Sequence, residues 1–500
     1  MFLTYIQQSG SPPVGDGGDQ YTGLDRFGRV IDQRWIKDSS GDDLERVEYG
    51  FDRASNRVWR DNTVADALSA NQDEYYTYEG LNQLLTLQRG TLNSGKTSIT
   101  GTPTWEEDFS FDPTGNWDNY VNQVNGTTTL NQPRTHNAVN EVETISGSSA
   151  LIQQNAAGNM SKAPQPLDWS SAFTMTYDAW QRLVKVKSGS TNIGIYAYDG
   201  QNRRVTKTIG TTTRHYYYSS QWQILEERLN TITTADRQFV WGLMALDNLV
   251  LRDRGSERFY SLQDVFSCTA IVDTSGTVQE RYGYNAFGLS RVMTATFTSR
   301  STSNYDWETR YDNYRFDSES SFYQVRNRYL HPTLGRWLTR DPIGYDGGIN
   351  LYAYCKNQSI NNIDPNGLDC PGCDSIPSWV QKAANQACAD RCCAIHDECY
   401  AANKGKRCES SSWHHTLLTL LCRTVIPHIF CPKYTHCDEC NLAVVKCFAK
   451  CLVGIKPPAG PRYYCAKECK YITIGRGKDF ENLDEAKKCC CSDKSDPPCA

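Results

Sequence analysis

The sequence is short of the features that place a chain in a membrane or on nucleic acid. No stretch approaches about 18 uncharged apolar residues, so we expect no transmembrane segment. No run of five Lys or Arg residues occurs and the formal net charge is −5, which excludes a strongly basic, nucleic-acid-binding surface. The N-terminal residues have neither a basic start nor an adequate apolar run, so they are not a signal peptide. We therefore expect the chain to be either the C-terminal part of a longer protein or a short cassette without its own export signal.

Cysteine is nearly absent from the first two thirds of the chain and abundant in the last third. Residues 1–327 contain one cysteine, Cys268, whereas residues 369–500 contain 19 of the 21. A change in composition this abrupt marks a boundary between two modules that are stabilised in different ways. The density after residue 368 exceeds the composition typical of disulfide scaffolds, which form in oxidising environments. We therefore expect the protein to be secreted or delivered to a target cell.

A weak motif recurs through residues 1–320: an aromatic pair, an Asp, a Gly or Asn, and an Arg followed by an aliphatic residue. Alternating aromatic and polar residues predict a half-buried strand, and the Asp-containing piece predicts the turn to the next strand. The step from Tyr177 to Tyr198 is 21 residues, the length of one hairpin that must stack on its neighbours. The array is therefore predicted to be a long antiparallel β ribbon of stacked hairpins. Residues 93–104 and 122–147 are rich in Thr, Asn and Ser, which predicts loops or irregular copies.

The stretch from Arg328 to Leu368 is dense in turn signals. It contains the dipeptides His331-Pro332, Asp341-Pro342 and Gly347-Gly348 and the turn sequence Asp364-Pro-Asn-Gly, interleaved with aromatic strand formers. The combination predicts a compact, irregular core over residues 321–368.

These blocks resemble the core that ends proteins of the Rhs/YD-repeat family. The matching pieces are RYLHP, GRW, DPIG, NLYAY and DPNGL. The resemblance implies a hollow β-shell around a C-terminal toxin, an immunity protein as partner, and an aspartyl-type self-cleavage. The positions that match the family's acid pair are Asp341 and Asp364, with the cut after Leu368. Two carboxyls held close share a proton, so one acts as base and the other as acid; ordinary Asp-Pro turns are the alternative interpretation.

The segment from Asp390 to Tyr400, DRCCAIHDECY, carries the sharpest chemical signal in residues 369–500. Alanines around it, and the lack of Gly or Pro from residue 378 to residue 404, predict a helix. Cys392 and Cys399 are seven residues apart and share a face, as do Cys440 and Cys447 in a second helical run. If Cys392 pairs with Cys447 and Cys399 with Cys440, the two helices lie antiparallel. The spacing does not fix that pairing.

This segment resembles the active-site helix of secreted phospholipase A2, whose pattern is D-x-C-C-x-x-H-D-x-C-Y. The resemblance implies that His396 is the general base that activates a water, that Asp397 is a ligand of Ca²⁺, and that the calcium ion polarises the ester carbonyl. Tyr400 is the tyrosine of the pattern and joins the candidate catalytic residues, and Cys393 is a further disulfide cysteine. The implied substrate is a phospholipid membrane surface.

Two positions depart from the phospholipase pattern. Where the family has an Asp that orients the histidine, this sequence has Asn441, which can accept a hydrogen bond from the ring but cannot offset its charge. Asp438, nearly one helical turn earlier, is the candidate substitute. The family's glycine-rich calcium loop is also missing, and residues 370–374 are the only candidate in its place.

Three other interpretations compete with these assignments. The disulfide-rich tail of a secreted or surface YD-repeat protein can be a non-enzymatic binding module. Cys-x-x-Cys spacings near several histidines fit zinc, with ligands drawn from Cys370, Cys373, Cys437, Cys440, His414, His415, His428 and His436. The tyrosines of the array could bind sugar, although tyrosine at period two is more often packed in a core.

The sequence therefore predicts a mainly β protein with a C-terminal α-helical, disulfide-rich domain. Residues 1–320 form the YD-repeat β-shell, residues 321–368 the closing core, and residues 369–500 a phospholipase A2-like effector. The predicted function is that of a polymorphic toxin whose effector hydrolyses phospholipid esters with calcium assistance.

Overall fold

A computed structural model describes residues 2–4, 23–243, 246–265 and 267–368. The chain divides into two compact units, residues 1–372 and 373–500. The described residues all belong to the first unit and are mainly β, as the sequence predicts. The predicted helical, disulfide-rich domain lies outside the described residues. No helix among the described residues is both long enough and apolar enough to cross a membrane.

Three antiparallel sheets contain the strands, and within each sheet the strands pair in chain order. The first sheet consists of β1 (Phe2–Thr4), β2 (Asp32–Ile36), β3 (Asp43–Phe51), β4 (Arg57–Asn62), β5 (Asp73–Tyr78), β6 (Leu84–Gly90), β7 (Trp105–Phe111), β8 (Trp117–Val124), β9 (Thr127–His136) and β10 (Val142–Ile145). One short helix, α1 (Thr63–Ala67), follows β4 and is capped by the Asn62 side chain.

The second sheet has fifteen strands and the third has four. The second consists of β11 (Gln153–Gln154), β12 (Met160–Gln165), β13 (Asp168–Tyr177), β14 (Leu183–Ser188), β15 (Thr191–Tyr198), β16 (Arg204–Ile209), β17 (Thr212–Tyr218), β18 (Ile224–Leu229), β19 (Arg237–Trp241), β20 (Leu249–Arg254), β21 (Glu257–Gln263), β22 (Cys268–Val272), β23 (Val278–Tyr284), β24 (Ser290–Met293) and β25 (Ser299–Arg300). The third consists of β26 (Arg315–Asp317), β27 (Phe322–Val325), β28 (Arg328–His331) and β29 (Arg336–Trp337). Three-residue and four-residue 3-10 turns lie at Tyr311–Asn313, Gly344–Gly347 and Cys355–Asn357.

The Asp of the repeat motif organises the turn between strands. Asp199 Oδ1 accepts hydrogen bonds from the main-chain N–H groups of Gln201 and Arg203, both at 2.9 Å, and its Oδ2 accepts from Arg203 Nε at 2.7 Å. Asn202 between them has a left-handed backbone with φ of 68°, a conformation that Asn and Gly tolerate best. The same arrangement recurs around Asp178 and Asp25. The motif is therefore a self-contained turn signal.

A tyrosine at the end of a strand joins one repeat to the previous one. The Tyr198 hydroxyl donates to the Leu183 carbonyl oxygen at 2.7 Å, and the Tyr218 hydroxyl donates to the Arg204 carbonyl oxygen at 2.8 Å. The Arg182 guanidinium lies over the Tyr198 ring, 5.0 Å from its centroid. In these repeats the tyrosines therefore serve packing and cross-strand bonding, which is the structural rather than the sugar-binding interpretation.

One part of a sequence prediction about the array is wrong. Residues 122–147 were expected to be loops or irregular copies of the repeat, and they are not loops, because they contain the end of β8 and all of β9 and β10. They form an irregular copy, in which Asn137 accepts the turn bonds that an Asp accepts elsewhere. Along β9 the side chains of Gln132 and Arg134 are buried and alternate with exposed residues. Polar residues thus occupy the inward positions, so the strand has the period-two burial of a sheet without an apolar pattern. The prediction of a loop over residues 93–104 agrees with the structure, which has only a bridge and turns there.

The third sheet packs against both larger sheets through buried aromatic side chains. One cluster joins Phe109 and Trp117 of the first sheet with Tyr323 and Trp337 of the third. A second joins Phe173 of the second sheet with Phe322, whose ring centroids are 5.7 Å apart. A fully buried aromatic side chain contributes about 1.5–3 kcal/mol by leaving water. These contacts fix the position of the core sheet, and with it the site described next.

Candidate self-cleavage site

The two carboxyls of the predicted acid pair meet on one arginine. Arg328, the first residue of β28, places Nη1 2.9 Å from Asp341 Oδ2 and Nη2 3.1 Å from Asp364 Oδ2. Asp341 follows β29, and Asp364 lies in the turn that precedes Leu368. The sequence separates these residues by 23 positions, and the fold brings both to the same guanidinium.

Arg328 is itself held in place. Its guanidinium lies 4.3 Å from the centroid of the Trp337 ring, and its Nε donates to the Gly367 carbonyl oxygen at 2.6 Å. Both side chains are nearly inaccessible to solvent, with Arg328 at 3% and Trp337 at 1% exposure. A planar guanidinium that is stacked on one face keeps a fixed fork, so the two carboxyls are held in a defined arrangement.

Burial changes the protonation of both carboxyls. It raises the pKa of Asp341 to about 6, although the charge of Arg328 opposes the shift. It also raises the pKa of Asp364, again against Arg328. The charge of Asp364 adds to the rise in the pKa of Asp341, and both carboxyls face the same cation. A pair of this kind can hold one proton near neutral pH and act as acid and base together.

Asp364 also contacts the backbone at the predicted cut. Its Oδ1 accepts a hydrogen bond from the Leu368 N–H at 3.1 Å. Gly367, between them, has a φ of 64°, and a Cβ at this position would overlap the Val325 carbonyl oxygen. The Asp364 carboxyl therefore contacts the main chain of Leu368, the residue whose carbonyl group would be attacked. The turn between them requires glycine.

The hairpin between β27 and β28 fastens this turn. The Arg326 guanidinium donates to the Pro365 carbonyl oxygen, and Asn327 Nδ2 donates to the Asn366 carbonyl oxygen at 3.0 Å. The Arg326 side chain also pairs with Asp247, at 2.6 Å between Nη2 and Oδ1. The segment that ends at Leu368 is thus bound to the third sheet along several consecutive residues.

The main-chain N–H of Asp364 has a side-chain acceptor. It donates to the Tyr314 hydroxyl at 2.8 Å, and the Tyr314 and Tyr354 hydroxyls are 3.0 Å apart. The Tyr354 hydroxyl donates to Asp312 Oδ2 at 2.5 Å. Burial raises the pKa of Asp312 to about 8.

Several residues of this site were not identified as functional from the sequence. Arg328, Trp337 and Tyr354 lie in the turn-rich stretch from Arg328 to Leu368, where the sequence predicts only strand formation for the aromatic residues. Tyr314 and Asp312 precede it. The signal available for Arg328 was the RY and GRW blocks themselves, but nothing in their spacing shows that the guanidinium and the indole face the two carboxyls.

The predicted effector residues lie outside the described residues. They are His396, Asp397, Tyr400, Asp438 and Asn441 and the cysteines Cys392, Cys393, Cys399, Cys440 and Cys447, and their predicted roles stay predictions.

Among the described residues, Asp61, Asp66 and Asp73 place carboxylate oxygens within 4.8 Å of one another. The Lys96 ammonium lies 2.9 Å from Asp61 Oδ2, so a cation of the protein already offsets part of that charge.

Comparison with known sequences gives partial matches. No family model matches the chain. The chain is 32% identical over 205 residues to the tRNA3(Ser)-specific nuclease WapA of Bacillus spizizenii, which covers 39% of this chain and 8% of that protein. It is 42% identical over 62 residues to the toxin protein Tse5 of Pseudomonas aeruginosa, covering 12% of this chain and 5% of that protein. The chain thus spans less than a tenth of either relative.

Comparison with solved structures identifies the same fold in a toxin complex. The crystal structure of TcdB2-TccC3-Cdc42 matches with a TM-score of 0.53 and 21% sequence identity, over 68% of this chain and 18% of that chain. At this identity the likeness concerns the fold alone. Together with the two sequence relatives, it supports the resemblance of this chain to the repeat proteins of Rhs/YD-type bacterial toxins.

Proposed function

We propose that this protein is a toxin-type protein whose β-repeat module cleaves the chain after Leu368 and so releases residues 369–500. The observation that carries the proposal is the convergence of Asp341 and Asp364 on Arg328, with Asp364 also bonded to the Leu368 N–H. The bond from the Leu368 N–H has the same spacing as the structural turn bonds at Asp178 and Asp199, so the shared cation is what distinguishes this pair from two ordinary Asp-Pro turns.

The pair supplies both proton transfers that peptide hydrolysis needs. The ionised carboxyl takes a proton from water, whose oxygen adds to the Leu368 carbonyl carbon. The bond from that carbon to the Asp369 nitrogen then breaks, and the protonated carboxyl gives its proton to the departing amine. Burial raises the pKa of both carboxyls, and the charge of Arg328 opposes that rise. The arginine thereby favours the ionised form that acts as the base.

The test is the fate of the full chain. We expect the unmodified protein to yield a fragment that ends at Leu368 by mass spectrometry, whereas Asp341→Asn and Asp364→Asn leave the chain whole. Asp253→Asn is the control, because Asp253 pairs with Arg258 on an exposed strand far along the sequence from the site. A cut that persists in Asp364→Asn, or that falls elsewhere, would remove the proposal.

For the released part, residues 369–500, we propose a phospholipase A2-like activity. The support is the segment from Asp390 to Tyr400, in which His396 would act on water and Asp397 would bind Ca²⁺. Asn441 and Asp438 are the two candidates for orienting the histidine. A phospholipid surface is then the substrate.

The second candidate is a nuclease effector. The observation that favours it is the likeness to WapA, a protein named as a tRNA nuclease. Fatty-acid release from mixed phospholipid vesicles, with calcium and then with chelator, and degradation of total tRNA should be measured on the same cleaved preparation. Calcium-dependent release that is lost in His396→Gln supports the lipase; RNA loss without fatty-acid release supports the nuclease. The absence of both activities would favour a non-enzymatic binding module.

Delivery and neutralisation follow from the toxin-type proposal. We propose that the protein is secreted or delivered to a target cell, and that an immunity protein protects the producer, by analogy with the toxin protein Tse5. Co-expression with genes adjacent to its own, scored by survival of cells that make the cleaved effector, would identify that partner.

A further inference from the structure

A buried hydrogen-bond chain runs from the cut site to a second aspartate. Its members are the Asp364 N–H, the Tyr314 hydroxyl, the Tyr354 hydroxyl and the Asp312 carboxyl, at 2.8, 3.0 and 2.5 Å in that order. Tyr314, Tyr354 and Asp312 are 3%, 0% and 4% exposed, and Asp364 is 1% exposed. Buried polar groups of this kind depend on one another for their partners.

The hydrogen bonds of this series can align in one direction, with the Asp312 carboxyl as the last acceptor. The Tyr314 oxygen accepts from the Asp364 N–H, so its own proton is available for the Tyr354 oxygen. The proton of Tyr354 is directed to Asp312 Oδ2. Each hydroxyl is thus an acceptor on the Asp364 side and a donor on the Asp312 side, and the carboxyl of Asp312 ends the series.

Asp312 is held by a residue next to the second sheet and not by the turn that contains Asp364. Its backbone is left-handed, with φ of 48°, and its N–H donates to Ser267 Oγ at 2.9 Å. Ser267 immediately precedes β22. A non-glycine residue in this conformation costs roughly 1 kcal/mol and persists only where surrounding contacts hold it.

At its other end, the series of hydrogen bonds fixes the orientation of Asp364. The carboxyl of Asp364 contacts Arg328 through Oδ2 and the Leu368 N–H through Oδ1, while its main-chain N–H contacts Tyr314. These three contacts fix the residue from three sides. Without the Tyr314 hydroxyl the buried N–H loses this acceptor, and the main chain of Asp364 would have to shift to regain one.

We propose that Tyr314 is a positioning residue for the cleavage after Leu368, holding the Asp364 main chain while Tyr354 and Asp312 hold its own hydroxyl. The proposal rests on the self-cleavage proposed above. Tyr314 acts through Asp364, from whose main-chain N–H its hydroxyl accepts a hydrogen bond.

The experiment follows cleavage of the full chain in time after cell-free synthesis, with samples resolved by gel electrophoresis. Tyr314→Phe is compared with Tyr323→Phe, a matched control. Tyr323 is a buried member of the same aromatic cluster, and its hydroxyl donates to the Gly288 carbonyl oxygen at 2.8 Å, away from Asp364. Tyr314→Phe should slow cleavage about tenfold or more, the scale of a small misplacement of a reacting group, while Tyr323→Phe does not. Equal rates in the two variants would overturn the proposal.

A second pair of variants separates positioning from folding. Asn at position 312 keeps an oxygen that can accept from Tyr354, whereas Ala removes it. Asp312→Asn should therefore cleave faster than Asp312→Ala, and equal rates for these two variants would also contradict the proposal. This pair decides the matter if Tyr314→Phe does not fold.

The two proposals fail differently. An unmodified chain that stays whole, or an Asp364→Asn chain that is still cut, contradicts self-cleavage itself. A chain that is cut, is protected by Asp364→Asn, and is cut equally fast in Tyr314→Phe and Tyr323→Phe contradicts only the role of Tyr314.

Discussion

Arg204 of β16 and Asp317 of β26 form a buried ion pair between the second and third sheets, with side-chain exposures of 1% and 0%. Arg204 Nη2 lies 2.9 Å from Asp317 Oδ1, and Lys207 Nζ lies 3.1 Å from the same oxygen. Burial raises the pKa of Asp317, but Arg204 and Lys207 outweigh it and hold the pKa below its usual value. The core sheet is therefore joined to the repeat array by charge as well as by aromatic packing.

Asp317→Asn should destabilise the described unit strongly. It leaves Arg204 and Lys207 without their shared buried carboxylate, and breaking one side of a buried pair typically costs about 3–5 kcal/mol. Asp253→Asn removes the partner of Arg258 at an exposed pair and should cost less than about 1 kcal/mol. Urea unfolding midpoints measure both. Equal midpoints for the two variants would show that the buried pair contributes no more than a surface pair.

The repeat array could be predicted from the sequence because its signals are local. Tyr177, Asp178 and Arg182 lie within one turn, and the structure forms that turn from their own side chains and main chain. The strand β9 was missed for the opposite reason. Its inward residues Gln132 and Arg134 are polar, and their partners include the Leu334 carbonyl oxygen, 200 residues away from Arg134. A contact of that range leaves no trace in a local pattern.

The candidate site was predictable only in part. Asp341 and Asp364 were named through a family resemblance, and the structure places both on Arg328. Tyr314 lies 50 residues from Asp364 in sequence, and its role depends on a main-chain N–H. A hydrogen bond from a main-chain N–H to a side chain requires no particular residue type at the main-chain donor. Motif spacing in the sequence therefore cannot reveal such a bond.

The turn Asp should matter more than the residue at the tip of the same turn. Asp199→Ala removes the oxygen that accepts from two main-chain N–H groups and also removes the ion pair with Arg203, so we expect a loss of about 1–3 kcal/mol. Gln201→Ala retains the main-chain N–H that bonds to Asp199, and Gln201 is exposed, so its cost should be within about 0.5 kcal/mol. Thermal unfolding of the two variants side by side is the measurement. A Gln201→Ala chain that loses as much stability as Asp199→Ala would contradict the assigned role.

The cleavage rate should depend on pH through the Asp341 and Asp364 pair. Burial raises the pKa of Asp341 to about 6, so we expect cleavage to slow as the pH rises through this value and Asp341 loses its proton. Arg328 lowers the pKa of both carboxyls, and Arg328→Gln should therefore move the decline to higher pH. Arg328→Lys keeps the charge but loses the fork and the planar contact with Trp337, so the rate should fall on the order of tenfold to a hundredfold with a smaller pH shift. Identical pH profiles for the Gln and Lys variants would exclude a charge effect of Arg328.

Asp66 should make stability fall as pH rises. Burial and the neighbouring Asp73 and Asp61 raise its pKa to about 6, above its ordinary value, so the folded state favours the protonated form. The stabilising contribution is complete below the ordinary pKa and is lost as pH rises through about 6. Asp66→Asn should therefore gain stability over the unmodified chain at pH 7.5 and little at pH 4.5. Asp112→Asn should show the opposite dependence, because hydrogen bonds from Asn116 and Thr114 overcome burial and lower the pKa of Asp112. The same sign in both variants would contradict the assignment.

Gly367 should be indispensable for cleavage for steric reasons. Gly367→Ala meets two penalties, since its φ is 64° and the new Cβ would overlap the Val325 carbonyl oxygen. Gly344→Ala meets only the first, because Gly344 has a φ of 66° with nothing within 4 Å of the added carbon. The left-handed conformation alone costs roughly 1–2 kcal/mol, and we expect Gly344→Ala to lose about that much stability.

In Gly367→Ala the turn must move away from β27, and the Leu368 N–H moves with it relative to Asp364 Oδ1. The cleavage rate should then fall at least about a hundredfold, while the thermal midpoint of the repeat array changes little more than in Gly344→Ala. The time course of cleavage and the thermal midpoint, measured on the same two preparations, separate these effects. Rapid cleavage in Gly367→Ala would mean that the contact between Asp364 and Leu368 does not govern the reaction.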